Sequence, residues 1–250
     1  MKEIILEDNP DVSIVVPMYN AERWVATTIN SLLSQTYENI EVIVIDDGST
    51  DNSKQIVDHF SFDKRIRYFH QENGGTGSAL NAGHEKARGK YVTWCSSDNV
   101  YYPHFIETLR TALEQMENEK EDVQLVYSDF YFINEQNQPI QTITHESPQS
   151  LEDLIRGYDI GMSFLYTKKL WDKTGPYWSR ICEDYNWCVR AAQYTEFGLV
   201  KATLAGFRIH SGQITGSRKN EEKAAADDCR ALASLLWKQT SENRSINSNS

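Results

Sequence analysis

Positive charge is scarce in this chain. Its 250 residues carry 25 Lys and Arg against 36 Asp and Glu, a formal net charge of -11. The basic footprint of a nucleic-acid binder is therefore missing, and no nucleic-acid partner is expected. An acidic surface also repels a bare pyrophosphate, so a phosphate site here calls for a bound cation or a local set of N–H donors. Cysteine is sparse too. Cys95, Cys182, Cys188 and Cys229 match no zinc-site spacing and read as free thiols of a reducing compartment. No apolar run reaches the ~18 residues of a membrane span. The opening residues, MKEIILEDNPD, lack the apolar segment of a signal peptide. A cytoplasmic protein is expected, peripheral to a membrane where a partner docks it. Internal repeats and a dividing linker are absent as well. The 40% hydrophobic and 24% charged content fits one globular domain with a sizeable core.

The stretch Tyr91 to Pro103, YVTWCSSDNVYYP, organises the rest. A β-rich run ends abruptly in small and acidic residues, as a buried strand does when its carboxyl end faces a cleft. Ligands of open α/β sheets bind beyond such ends. Residues two apart share a side, so Ser96 and Asp98 face one way and Ser97 the other. Asp98 is an oxygen ligand of the kind Mg²⁺ or Mn²⁺ uses when it bridges to phosphates. Asp98 and Asn99 equally suit an N-cap before a helix.

Val12 to Val16 is a near-continuous β-branched run, suited to a strand buried on both faces, with Pro17 as its stop. Trp24, Val25, Thr28, Ile29, Leu32 and Leu33 form one helical stripe. Glu41 to Ile45 reads as a second strand. It runs into Asp46-Asp47-Gly48, where Gly48 permits a positive φ and Ser49, Thr50 or Asp51 caps a helix over 53–60. A short strand over 66–69, a Gly-rich loop and a helix over 78–87 lead back to Tyr91. Strand–helix alternation over 12–103 predicts a parallel, doubly wound sheet. Polar signals at Pro17–Asn20, Asp46–Asp51 and Ser96–Asn99 then converge on one sheet edge.

The second half is less regular. It reads as a helix over 104–119, a strand over 123–127, a hairpin within 129–145 and a short helix over 151–157. Further on come a strand over 161–166, a helical turn over 168–173 and a helix from Glu183 to Tyr194. Short strands at 197–200 and 203–207 precede an amphipathic helix over 221–237. Acidic residues at 183 and 184 suit the positive end of their helix. From 239 onward the composition cannot build a core.

Taken together, SIVVPMYN, VIVIDDGSTD, ENGGTGSALNAGHEKARGKYVTW, SSDN and CEDYNWCVR resemble a family 2 glycosyltransferase of the GT-A fold, across residues 12 to 212. The resemblance implies an α/β chain whose Rossmann-like, mostly parallel central sheet has helices on both faces, with a smaller irregular acceptor-side region. It divides residues 1–220 into a nucleotide-sugar half (12–103) and an acceptor half (104–220), followed by a helix over 221–238 and a disordered tail over 239–250. It implies Pro17 and Tyr19 around the nucleoside base and Asp47 accepting a hydrogen bond from it. The family's DxD motif falls on Ser96, Ser97 and Asp98, so the first carboxylate is absent and the one expected to touch the metal is kept. The Glu183-Asp184 pair matches the catalytic ED motif, with Asp184 as base and Glu183 orienting it or the acceptor. His210 matches a position near the diphosphate and is implied as a metal or phosphate contact, with Arg208 and Arg218 supplying charge for the leaving group. Leu80 stands where members often have arginine. Trp171, Tyr177 and Trp178 flank the acceptor side, as sugar-stacking rings or as core.

The implied activity is inverting transfer from a nucleotide sugar, UDP-linked by preference, to a glycan, protein or lipid-linked hydroxyl, with Mn²⁺ or Mg²⁺ as cofactor. An oligomer or a larger parent chain fits the same reading. Three others compete. A nucleotidyltransferase needs a basic Gly-rich loop, and residues 17–24 offer only Arg23. A receiver-like domain centred on Asp46 or Asp47 leaves the second half unexplained. A catalytically silent nucleotide- or sugar-binding module is left open by the Ser96-Ser97 departure and opposed by retention of Asp98 and Asp184.

Overall fold

A computed structural model describes residues 9–119, 122–146, 160–178 and 182–211, with single positions at 227 and 231. The first half alternates as the pattern requires: β1 (Val12–Met18), α1 (Val25–Leu33), β2 (Ile40–Asp46), α2 (Ser53–Asp58), β3 (Ile66–His70), α3 (Thr76–Lys86) and β4 (Tyr91–Trp94). Strands β3, β2, β1 and β4 lie side by side and parallel. β5 (Val100–Tyr101) and α4 (Phe105–Glu119) follow, then a hairpin of β6 (Val123–Ile133) and β7 (Pro139–Ile143). β8 (Phe164–Thr167), α5 (Lys168–Thr174), α6 (Glu183–Ala191) and β9 (Glu196–Arg208) complete the described chain.

All nine described strands join one sheet, in the order β3-β2-β1-β4-β8-β6-β9-β5, with β7 also on β6. β8 runs antiparallel between β4 and β6, and β9 runs parallel to β6. The sheet is thus parallel in its first half and mixed in its second. No helix among the described residues is long and apolar enough to cross a membrane.

Strand alternation sorts the core into two layers. Val12, Ile14 and Val16 pack with Ile29 and Leu32 of α1 and Leu109 of α4. On the other face Val15, Ile43 and Ile45 meet Ala79 and Leu80 of α3 and Trp187 of α6. α3 lies very close to the sheet: a Cβ at Gly83 would stand 2.2 Å from Val15 Cγ1. Glu41, read only as part of a strand, is buried. Burial alone would raise its pKa. The Ser13 hydroxyl, the Arg88 backbone N–H and the guanidinium groups of Arg67 and Arg88 outweigh burial and hold it low.

Three expectations are corrected. Pro17 does not stop β1, which continues to Met18 with Pro17 opposite Ile45. The carbonyl of Val15 takes the Cys95 N–H from the β4 side, and β4 ends there, so Pro17 faces no strand that needs its missing N–H. The N-cap reading of Asp98 and Asn99 fails, because a two-residue strand, β5, paired with Gly206 and Ala205, follows them and α4 begins only at Phe105. The two short strands over 197–207 are one, β9. Register shifts around Ser128 and Asp129 break its polar–apolar alternation and make it look like two. Arg218, the helix expected over 151–157, most of that over 221–237 and the tail from 239 lie outside the described residues.

Candidate active site

β1, β2 and β4 end together, which brings three of the predicted loops to one edge. The β1 and β2 loops are tied directly. The Asn20 N–H donates to Ser49 Oγ (3.0 Å), and Asn20 Oδ1 accepts the Thr50 N–H (2.8 Å). Asn20 adopts a left-handed φ of 48°, a conformation asparagine tolerates better than most residues. Tyr19 beside it is 50% exposed, so its ring is open to a ligand.

Asp47 is nearly inaccessible at 3%. Its Oδ1 accepts from Gln71 Nε2 (2.7 Å) and the Gly74 N–H (2.9 Å), and its Oδ2 from the Gly75 N–H (2.8 Å). A carboxylate offers about four acceptor sites, so about one remains. Asp46 is committed elsewhere, to Tyr68, Ser49 and His70. Burial pushes its pKa up, and these hydrogen bonds hold it below the usual range.

Past β4, the side chains of Ser96, Ser97 and Asp98 are half-buried. The hydroxyls of Ser96 and Ser97 have no hydrogen-bond partner among the described residues. Asp98 Oδ2 lies 3.2 Å from His210 Nε2, which brings two predicted metal contacts together across 112 positions of sequence. Among the described residues no cluster of three or more His, Cys, Asp or Glu could hold a metal. Two protein ligands still suit a cation that completes its shell with water and substrate phosphate, as Mg²⁺ commonly does. Asp98 and His210 fit that role.

Arg208 overturns an expectation. It is 1% exposed, so its guanidinium is not open to direct contact with a leaving diphosphate. Its Nε donates to the Asp98 carbonyl (2.7 Å), Nη1 to the carbonyls of Asn134 (3.1 Å) and Glu135 (3.2 Å), and Nη2 to Asn137 Oδ1 (2.6 Å). Its backbone N–H donates to Asn99 Oδ1 (2.9 Å), and the Asn99 carbonyl accepts the Thr28 hydroxyl (2.7 Å). Arg208 is therefore the tie that fixes the Asp98-Asn99 backbone to the β6–β7 turn. Trp24, assigned above to the apolar stripe of α1, helps it. The guanidinium groups of Arg208 (4.3 Å) and Arg23 (4.4 Å) both lie over its indole, with the His210 ring 5.5 Å away. The adjacent Arg23-Trp24 pair was the one sequence signal for this stack.

Leu80, where the family resemblance leads arginine to be expected, is fully buried in the α3 core layer. The acceptor-side aromatics separate. Trp171 stacks on His84 at 5.1 Å and Tyr177 is buried, whereas Trp178 is exposed.

Glu183 and Asp184 stand on another element, the first turn of α6. Trp187 anchors that helix against Tyr166 of β8, at a ring distance of 4.6 Å. β8 in turn is held to the end of β4 by the Thr93 hydroxyl on the Phe164 carbonyl (2.6 Å). Cys182 takes a left-handed φ of 55° immediately before the helix, turning the chain sharply into it. Burial, and then the neighbouring charge of Asp184, raise the Glu183 pKa from 4.5 to about 8. The folded chain thus keeps a proton that the unfolded chain releases, and this contribution to stability falls as pH rises from 4.5 to about 8. Glu183→Gln is expected to remove that slope, so thermal melts across the interval should show the variant gaining on wild type with rising pH. An unchanged difference between the two would place Glu183 in water with an ordinary pKa.

A sequence model described as glycosyl transferase family 2 matches residues 13–183. A Rickettsia felis protein described as an uncharacterized glycosyltransferase is 33% identical over 246 residues, 95% of this chain and 40% of that protein. The chain therefore spans less than half of that relative. Among solved structures, S. aureus TarS 1-349 in complex with UDP-GlcNAc superposes with a TM-score of 0.66 at 21% identity, over 83% of this chain and 61% of that one. The Pyrobaculum calidifontis mannosyltransferase PcManGT, in complex with GDP-Man and Mn²⁺, gives a TM-score of 0.65 at 15% identity, over 91% and 65% of the two chains. Both likenesses show the fold, which is that of GT-A transferases.

Proposed function

The chain belongs to glycosyl transferase family 2, and on that footing we propose that it is an inverting hexosyltransferase. It moves a sugar from a nucleoside-diphosphate sugar, UDP-linked by preference, to a hydroxyl acceptor on a glycan, protein or lipid-linked chain. The observation that carries this reading is the Asp98–His210 pair beside the uncommitted hydroxyls of Ser96 and Ser97. TarS with UDP-GlcNAc and PcManGT with GDP-Man and Mn²⁺ supply the ligand class by analogy.

Tyr19 presents a ring face to the base, beside Pro17, and Asp47 uses its remaining acceptor site on a base N–H. Ser96 and Ser97 hydrogen-bond the ribose or diphosphate. Asp98 and His210 hold a divalent cation, which when bound offsets the charge that develops on the leaving diphosphate. The acceptor oxygen attacks the anomeric carbon on the face opposite that diphosphate. As the new C–O bond forms and the old one to phosphate breaks, the hydroxyl proton passes to the Asp184 carboxylate. Glu183, protonated up to about pH 8, keeps the adjacent pair at a single negative charge through neutral pH.

Calorimetric titration of UDP and then GDP, each with and without Mn²⁺, is the first test. UDP should bind more tightly with the metal than without it, and Asp98→Ala should abolish that gain. Tight binding that ignores both Mn²⁺ and Asp98→Ala removes Asp98 as a ligand. Absence of binding to either nucleotide favours the silent module.

A further inference from the structure

One buried titratable side chain has no part in the proposed chemistry. His84, on α3, is 1% exposed. Burial lowers its pKa from 6.5 to about 4, so the ring is neutral near pH 7. A neutral imidazole has one donor nitrogen and one acceptor nitrogen. His84 Nδ1 lies 2.7 Å from the Leu80 carbonyl, which can only accept, so Nδ1 carries the proton. Nε2 is then an acceptor. It takes the Tyr166 hydroxyl, and the Tyr166 oxygen takes the Tyr177 hydroxyl (3.2 Å). These hydrogen bonds run in one direction, from Tyr177 through Tyr166 and His84 to the backbone of α3.

The two tyrosines form a floor beneath α6. Trp187 of α6 lies against both rings, 4.6 Å from Tyr166 and 5.8 Å from Tyr177. Its Nε1 donates to the Gly175 carbonyl (3.1 Å). The buried Arg190 guanidinium, further along α6, donates to the carbonyls of Thr174 (2.6 Å) and Pro176 (2.6 Å). Asn81 closes the arrangement from α3, donating to the Tyr177 carbonyl (3.0 Å) and accepting its N–H (2.8 Å). α6 is thus built onto α3 through a layer of aromatic rings whose hydroxyls end on His84.

α3 is a firm base for it. Gly83 leaves no room between the helix and Val15 of β1. Just ahead of α3, the N–H groups of Gly74 and Gly75 hold Asp47. One helix therefore serves both the Asp47 carboxylate and the turn that carries Glu183 and Asp184. Burial raises the pKa of the Tyr177 hydroxyl, and the Asp184 charge adds to that, so the far end of the hydrogen-bond chain lies within electrostatic reach of this turn.

We infer that His84 is a positioning residue for the Glu183-Asp184 turn. It touches no substrate and moves no proton. It fixes the hydroxyls of Tyr166 and Tyr177, and these fix the rings. The rings set the depth and rotation of Trp187, and hence of the carboxylates one turn before it. What the turn is held for rests on the transferase reading; that His84 holds it does not.

Carbon-13 NMR of the Glu183 carboxyl on the full chain tests this, because its titration reads how firmly the turn is held against the core. In wild type the midpoint should lie at about 8. His84→Leu and Tyr166→Phe should each bring it down toward 4.5, as water reaches a turn that has lost its floor. Their double variant should go no further than either alone, since both cut one chain. His84→Gln, whose amide oxygen can take the Tyr166 hydroxyl in place of Nε2, should keep the midpoint nearer to wild type. Leu109→Ala, in the core layer on the opposite face of the sheet, is the control for lost stability alone and should leave the midpoint where it is. Tyr166→Phe keeps its ring and decides the matter should His84→Leu fail to fold. A midpoint unchanged in both variants, or moved as far by Leu109→Ala, overturns the inference, as does a wild-type midpoint already near 4.5. Turnover is read separately, as UDP release from UDP-glucose and UDP-N-acetylglucosamine with Mn²⁺, water standing in for the acceptor. There the same two variants should lower kcat about 10–100-fold and leave the donor KM close to its wild-type value. An unchanged kcat also overturns the inference. Wild type that releases no UDP counts against the transferase reading and leaves the titration to decide on His84.

Discussion

Asp184→Asn is expected to slow transfer by about 10²–10⁴-fold, the usual worth of a general base. Asparagine keeps the shape of the side chain and an oxygen that can accept the Tyr185 N–H, as Asp184 Oδ1 does at 2.7 Å. It cannot take the acceptor's proton. Nucleotide affinity and melting temperature should therefore stay close to wild type while the transfer rate collapses, a separation that a folding defect does not produce. A bland role makes a different forecast. Acidic residues in the first turn of a helix stabilise its dipole by about 0.3–1 kcal/mol, and neutralising one costs stability, not turnover. Transfer within threefold of wild type would assign Asp184 to that role.

Arg208→Ala carries the largest expected cost to the fold. The substitution strips hydrogen bonds from the carbonyls of Asp98, Asn134 and Glu135 and from Asn137 Oδ1, and empties the volume under Trp24. Buried acceptors left without partners cost about 1–3 kcal/mol each, less where water reaches them. A total on the order of 3 kcal/mol lowers Tm by roughly 6–12 °C in a chain of this size. Arg208→Lys keeps a charge but not the planar fork, so it regains only part of this set of acceptors. The lysine variant also separates positioning from stability. Below its own melting temperature it should show a weaker Mn²⁺ effect on UDP binding, because Asp98 and His210 are no longer held in one geometry. A melting temperature within 1 °C of wild type for Arg208→Ala, measured by calorimetry, would show that the guanidinium is not the tie.

The sequence was most readable where one physical signal ruled. β1 and β2 are buried on both faces, so their β-branched runs could hardly be misread, and Gly48 marks its turn through a φ of 80°. Legibility fell where two elements share the work. β5 is only two residues long and is a strand because β9 lies beside it; nothing within Val100-Tyr101 announces that. Arg208 reads as charge for the leaving group because the family resemblance puts it beside His210, near the diphosphate. The carbonyls that capture it come from 98 and from 134–135, more than 70 positions away. Trp171, Tyr177 and Trp178 shared one description in sequence, and packing alone separates the exposed ring from the two that are covered. Glu41 shows the same limit from the other side, since a lone acid in a strand gives no sign that Ser13 and Arg88 will surround it.

The pairing of β6 with β9 has a consequence for the order in which the protein is made. Val123 pairs with Glu196 and Ile133 with Arg208, so this ladder closes only after some 70 further residues have left the ribosome. β5 takes its ladder partner from β9. At synthesis rates of about 5–20 residues per second, Tyr101 waits roughly 5–20 s for Ala205 to appear. Until then the loop that bears Asp98 lacks both the guanidinium that fixes its backbone and the imidazole beside its carboxylate. The nascent chain can pair β1 to β4 once residue 94 has emerged, all from residues of its first half, yet the Asp98 loop is still without its ties and the sheet has an open edge. On the proposed function, tight, metal-dependent nucleotide binding is thus expected only of the finished chain. A ribosome-stalled fragment ending before residue 196 should carry a folded first half that does not yet answer to Mn²⁺.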